Sequence, residues 1–167
     1  RRMIQIISKM RATTIAAVHG HCIGGGWLLM LACDFRYASN CASFRLPEAD
    51  IGIPLAWGAV PWLTREAGSL LASELILTCR ELGAAEALSR GMVNGVFDAS
   101  ALMAEVTAVA DRLSLHSPLI LETTKAQLAA AKQSLCPDGY GFTDAHVLYS
   151  ALSDEASVRA RNRYLEL

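Results

Sequence analysis

The strand-like run Ile15–Val18 leads within a few residues to three consecutive glycines, Gly24, Gly25 and Gly26, which open directly onto an apolar helical stretch, Trp27, Leu28, Leu29, Met30. No other stretch narrows the possible folds as much. Glycine has no Cβ, so the backbone can turn sharply between two elements and another group can approach its N–H closely. The first turn of a helix also leaves N–H groups without partners and adds the positive end of the helix dipole. A β-branched strand, a glycine turn and an apolar helix, in that order, imply an α/β unit whose turn suits a developing negative charge such as an oxyanion.

The second feature lies further along, where Pro47 and Glu48 precede the mostly apolar stretch 49–57. A carboxylate with little solvation has its charged form disfavoured, which makes Glu48 a candidate general base. Around these two features the chain alternates strand and helix patterns. Residues 13–19 read as a buried, parallel strand, 34–38, 43–46 and 93–97 as short strands, and 84–90 as a helix stopped by Gly91. The glycine turn starts a helix that runs to about Cys33. From Ser100 onward only helical patterns remain: 102–115, 119–132 and 143–165, with a Pro137-Asp138-Gly139 turn between the last two. The expected organisation is therefore a core over 1–98 and a helical region over 99–167.

Composition limits the function classes. With 167 residues, 53% hydrophobic and 19% charged, the chain can bury a core of one ordinary domain. A net charge of -1 and scattered basic residues offer no field for a nucleic-acid backbone. Apolar runs such as 27–32 are too short to span a membrane and the start shows no signal-peptide pattern, so a soluble, cytoplasmic protein is expected. Five cysteines, with no CxxC pair and no histidine cluster at ligand spacing, read as reduced, mostly buried thiols with no metal. The chain begins Arg1, Arg2, Met3 with Ile4, Ile7 and Met10 already at helical spacing, as a piece of a longer protein would.

Four segments in order, IAAVHGHCIGGGWLLMLACD over 15–34, FRLPEADIG over 44–52, LTREAG over 63–68 and AAEALSRGMVNGVF over 84–97, resemble the enoyl-CoA hydratase/isomerase (crotonase) superfamily. The match is good over 13–97 and looser beyond. The resemblance implies the C-terminal part of a spiral of ββα units followed by a helical trimerisation region. It also implies an acyl-CoA thioester as substrate, a homotrimer or hexamer, and no cofactor beyond the coenzyme A of the substrate. Carried over by position, the Gly25 N–H would be one donor of an oxyanion hole, flanked by Gly24 and Gly26, whose partner amide lies in a loop upstream of these residues. Glu48 falls where the family's second catalytic glutamate stands.

The position of the first glutamate holds Leu28. Hydration in this family uses two glutamates around a water, whereas moving a double bond needs one base. The site pattern is thus similar to the single-glutamate Δ3,Δ2-enoyl-CoA isomerases, with Leu28 excluding water and the bulky 54–58 turn placing Trp57 at the acyl pocket. Two further readings stay open: an enoyl-CoA hydratase of the fatty-acid β-oxidation type, or a member that binds acyl-CoA without catalysis.

Other residues have plainer readings. His19 and His21 at a strand end are structural, Trp27 and Trp62 belong to the core, and the methionines fill it. Asp34 should bond a backbone N–H or Arg36, and Arg65 should be a packing or surface residue, with contact to a CoA phosphate the less favoured reading. No serine stands in a GxSxG elbow, so a hydrolase triad has no support, and a Clp-like peptidase lacks its nucleophile.

Overall fold

The computed structural model describes residues 2–135 and 144–166. A first helix, α1 (Arg2–Ser8), leads into β1 (Ile15–Val18) and β2 (His21–Ile23), then α2 (Gly25–Leu31), then β3 (Phe35–Ser39) and β4 (Ser43–Arg45). The chain thus makes a β-β-α turn and stacks the next pair of strands on it. Parallel pairing sets Ile15 against Phe35 in one sheet and His21 against Ser43 in the other. Gly20, at φ 76, makes the corner between β1 and β2, a conformation that suits a residue without Cβ.

After a loop come α3 (Ala59–Ala67), α4 (Ser69–Thr78), β5 (Leu82–Gly83), α5 (Ala84–Ser89) and β6 (Gly95–Phe97). The first sheet has the order β1-β3-β6, all parallel, and the second β2-β4-β5, with β5 antiparallel to β4. Between the layers lies the core: α2 buries Trp27, Leu28, Met30 and Leu31, and the Trp27 ring packs on Phe44 with centroids 5.6 Å apart. Four helices follow: α6 (Leu102–Ser114), which packs on the β1-β3-β6 sheet, α7 (Pro118–Leu135), α8 (Asp144–Ala151) and α9 (Glu155–Leu165).

Several expectations change in detail. The strand over 13–19 is parallel, but Ala17 is exposed and only Val18 is fully buried, because β1 is an edge strand with one neighbour. The helical pattern over 143–165 is two helices. The break falls where Asp154 caps α9, its Oδ2 accepting from the Ser157 N–H at 2.8 Å, which favours a helix start over a continuing turn. The Pro137-Asp138-Gly139 turn, Cys136 and Thr143 lie outside the described residues. The helices α3 and α4 and the short strands β2 and β5 were not legible in the pattern. Gly68, at φ 78, separates α3 from α4, and β2 and β5 are too short for periodicity to register.

Charge ties the helical half to the rest. Asp34 Oδ2 accepts from the Thr14 N–H at 2.7 Å and from Lys125 Nζ on α7 at 2.6 Å. Of the two partners expected for Asp34, it takes the backbone N–H, and Arg36 does not pair with it. Arg36 crosses the core to Glu66 on α3, and Glu66 also takes Lys132 of α7 at 3.1 Å. Arg65 is a packing residue, its side chain buried and its guanidinium 5.0 Å from the Trp62 ring. Cys22 and Cys79 are buried, Cys33 is half-buried and Cys41 is exposed, so burial of the thiols is partial. Burial alone pushes the Cys22 thiol up to about 12.

Candidate active site

The parallel pairing of β2 with β4 brings the two sequence features together. Beyond Ile23 the chain turns at Gly24, φ 52 and ψ -119, where the Gly24 N–H donates to the Arg45 carbonyl at 2.9 Å. This bond fixes the glycine turn to the end of β4. From there the chain needs only Leu46 and Pro47, both buried, to carry Glu48 across the turn. A Cβ at Gly24 would stand 2.9 Å from Glu48 Oε1, so the two approach closely, and φ 52 favours glycine at that position. As the first residue of α2, Gly25 has no carbonyl of its own helix for its N–H, and no side chain caps that end.

Glu48 opens a tight turn in which Ile51 N–H donates to the Pro47 carbonyl and Ile53 N–H to the Glu48 carbonyl, at 3.0 and 2.9 Å. The turn is held from outside by α9. Gly52, at φ 72, lies so near that helix that an added Cβ would be 2.1 Å from the Ser157 carbonyl oxygen. Residues 53–57 then return across the mouth of the glycine turn, and the Trp57 ring rests on Gly25.

The result is a pocket of about 140 Å³ whose lining includes Gly25, Leu28, Glu48, Leu55, Trp57 and Leu148. Among the described residues that line it, Glu48 is the only ionisable group. Its Oε2 is buried with no hydrogen-bond partner among the described residues, and burial raises its carboxyl above the ordinary 4.5 despite an opposing backbone hydrogen bond. A carboxyl so placed holds its proton more readily than a solvated one and is correspondingly a better base. Leu28 faces it from α2 as an apolar wall, 3% exposed.

Of the residues singled out from sequence, Gly25, Leu28, Glu48 and Trp57 therefore meet in one cavity, and Gly24 touches Glu48 from beneath. Gly26 does not reach it. A Cβ there would meet nothing within 4 Å, because the helix has already turned that position away. His21 is structural, its Nδ1 2.9 Å from Ser43 Oγ across the strand pair, and His19 is exposed. Sequence reasoning missed Leu148, which α8 contributes from the far end of the chain. No local signal marks it, since its helix reads as one more apolar pattern. Among the described residues no group of three or more His, Cys, Asp and Glu is placed to hold a metal ion, and no helix is long and apolar enough to cross a membrane.

A spiral of ββα units with a carboxylate over a glycine turn defines a crotonase-type fold. Residues 2–167 match the family model described as enoyl-CoA hydratase/isomerase, and the chain belongs to that family. It is 39% identical over 125 residues to the mitochondrial Delta(3,5)-Delta(2,4)-dienoyl-CoA isomerase of Pongo abelii, covering 74% of this chain and 38% of that protein. It is 35% identical over 126 residues to the crotonyl-CoA hydratase of Syntrophomonas wolfei, covering 75% of this chain and 48% of that one. The chain thus spans half or less of the length of these relatives. Among solved structures, an enoyl-CoA hydratase/isomerase from Pseudoalteromonas atlantica superposes with a TM-score of 0.88 at 27% identity, over 99% of this chain and 66% of that one.

Proposed function

We propose that the protein is an isomerase of unsaturated acyl-CoA thioesters that moves a 3-enoyl double bond to the 2-position, with Glu48 as its single acid/base. The observation that carries this reading is one buried carboxyl, with Oε2 unpartnered among the described residues, set against Leu28 in an otherwise apolar pocket. Glu48 as carboxylate takes a proton from C2 of the substrate. Negative charge moves to the thioester oxygen, where the Gly25 N–H donates to it, an interaction of about 3–4 kcal/mol in comparable sites. The resulting Glu48 carboxylic acid then delivers the proton to C4, and the double bond comes to rest in conjugation. Leu28 keeps water from the face on which hydration would need it.

The same reading takes coenzyme A as part of the substrate, with no separate cofactor, metal, membrane or nucleic acid. It divides the chain into a core over 1–98 and a helical region over 99–167 that assembles a trimer or hexamer. Exposed Leu119, Ile120 and Leu128 on α7 support that assembly. The cysteines free among the described residues fit a cytoplasmic location, although relatives include proteins named as mitochondrial and peroxisomal.

The test is to give the full-length protein a 3-enoyl-CoA and, separately, a 2-enoyl-CoA, and to follow absorbance of the conjugated thioester. The 3-enoyl substrate should be converted, and Glu48→Gln should lower the rate by about 10²–10⁴-fold. Because the base must be ionised and burial raises its pKa, kcat/KM should climb with pH through a value above 4.5 and then level. Steady loss of 2-enoyl absorbance in the wild type would instead establish hydration, the reading that the hydratase relatives favour. Thioester binding without turnover of either substrate would establish a non-catalytic member.

A further inference from the structure

Arg45 stands where both halves of the site are anchored. Its carbonyl takes the Gly24 N–H at 2.9 Å, so the end of β4 fixes the glycine turn. Only Leu46 and Pro47 separate it from Glu48 along the chain. The Arg45 side chain reaches in another direction. Its Nε donates to the Cys79 carbonyl at 2.8 Å and its Nη2 to Asp50 Oδ2 at 2.7 Å. Asp50 belongs to the turn that Glu48 opens, and Cys79 closes α4 in a left-handed conformation, at φ 52.

The Cys79 end is a firm post. A helix leaves its last carbonyls without partners, and a cation there also meets the negative end of the helix dipole. Cys79 is buried, and α4 is held in the core by Leu71, Ala72 and Leu75. The Asp50 end is different. The side chains of Arg45 and Asp50 are 39% and 43% exposed, and a cavity of about 450 Å³, which both line together with Ala160, Arg163 and Tyr164 of α9, lies on this face. Packing therefore does not fix the turn there. The guanidinium fork, with one donor on the helix end and another on the turn, sets the distance between them. An ion pair this exposed adds little to global stability, so its effect is on geometry.

We propose that Arg45 is a positioning residue for Glu48: its side chain ties the Glu48 turn to the end of α4 while its carbonyl holds the glycine turn, so that base and oxyanion donor share one anchor. The inference rests on the acyl-CoA reading of the site and goes beyond it, since Arg45 is not among the residues that line the pocket and acts only through the turn.

Amide hydrogen exchange of the full-length protein reads the anchor without any substrate. In Arg45→Met and in Asp50→Ala, amides of residues 48–53 should exchange about tenfold faster than in wild type, the size of losing one hydrogen bond to a charged group, while those of β1 and β3 keep their rates. Asp50→Ala leaves the bond to Cys79 in place and serves if Arg45→Met folds poorly. With a 3-enoyl-CoA, kcat per folded molecule should fall by about 10–100-fold and KM stay nearly unchanged, because a displaced base is felt in the transition state. The double variant should lose no more than the worse single one, and Arg45→Lys, which keeps the charge but not the fork, should recover only part of both readouts. A lower melting midpoint with wild-type kcat per folded molecule would show a merely structural role and overturn the inference. Wild-type exchange over 48–53 in both single variants would overturn it too. An active Glu48→Gln enzyme would overturn the base reading instead, and the exchange series would then decide by itself whether Arg45 holds the turn.

Discussion

The two halves of the molecule are held by different forces. Up to Phe97 the chain is organised around an apolar interior in which Trp27, Phe44, Leu46, Leu63, Leu75 and Leu82 are almost wholly out of contact with water. Beyond it, among the described residues, only Leu102, Val106 and Ala151 are buried hydrophobics, and large apolar side chains such as Leu115, Leu119 and Tyr149 stand exposed. Apart from α6, which packs Leu102 and Val106 on the β1-β3-β6 sheet, the helical half is attached by charge and close backbone contact: Lys125 to Asp34, Lys132 to Glu66, Arg11 to Glu122, and Gly52 to the first turn of α9. The core half positions the carboxyl and the glycine turn, and the helical half adds Leu148 to the pocket wall. What the contrast teaches is that the site's chemistry and its closure depend on separate kinds of interaction and should fail separately.

The largest expected loss comes from the point where the two kinds meet. Glu66, its side chain 12% exposed, lies between Arg36 of β3 and Lys132 of α7. Burial by itself would raise its carboxyl, but the charges and hydrogen bonds of Arg36 and Lys132 outweigh that and hold it below the ordinary 4.5. Glu66→Ala leaves the Arg36 guanidinium buried without its counter-charge and should cost about 3–5 kcal/mol in urea unfolding. Because the folded-state pKa is depressed, the Glu66 contribution is complete above the ordinary glutamate value and should fade as pH falls through the depressed one. A loss under 1 kcal/mol would mean that apolar packing alone joins the halves.

Next comes Gly52→Ala. The added methyl meets the Ser157 carbonyl and the backbone sits at positive φ, so about 2–4 kcal/mol of destabilisation is expected. The loop should also move away from α9, and loss of substrate affinity beyond the loss of stability would show that α9 supports the Glu48 turn. The smallest effect belongs to Arg11→Ala, whose partner Glu122 it meets in solvent. Its melting midpoint should be indistinguishable from wild type.

How far the sequence could be read follows from the range of the interactions involved. The strand before the glycines, the helix after them and the stop at Gly91 all rest on local backbone chemistry, and each is present. The expected single helix over 143–165 failed because Asp154 competes locally for an N–H, a signal that an apolar stripe conceals. A backbone N–H or Arg36 was expected at Asp34, and the backbone N–H of Thr14 is what it binds, whereas Arg36 goes to Glu66, a choice between two carboxylates that depends on which lies across the core. Glu48 was singled out from its apolar neighbours. That one of its oxygens has no hydrogen-bond partner among the described residues, and that it touches Gly24, appear only in three dimensions.

By itself, then, the sequence determined the α/β order, the glycine turn and a lone carboxyl set opposite a leucine, because β-branching, the missing Cβ and apolar periodicity act over a few neighbouring residues. Only the tertiary structure decided that Glu48 lies over Gly24, that the Trp57 ring leans on Gly25 and that Leu148 closes the pocket. Parallel strand pairing and helix docking join residues far apart along the chain, and the space between their side chains is a property of all of them at once.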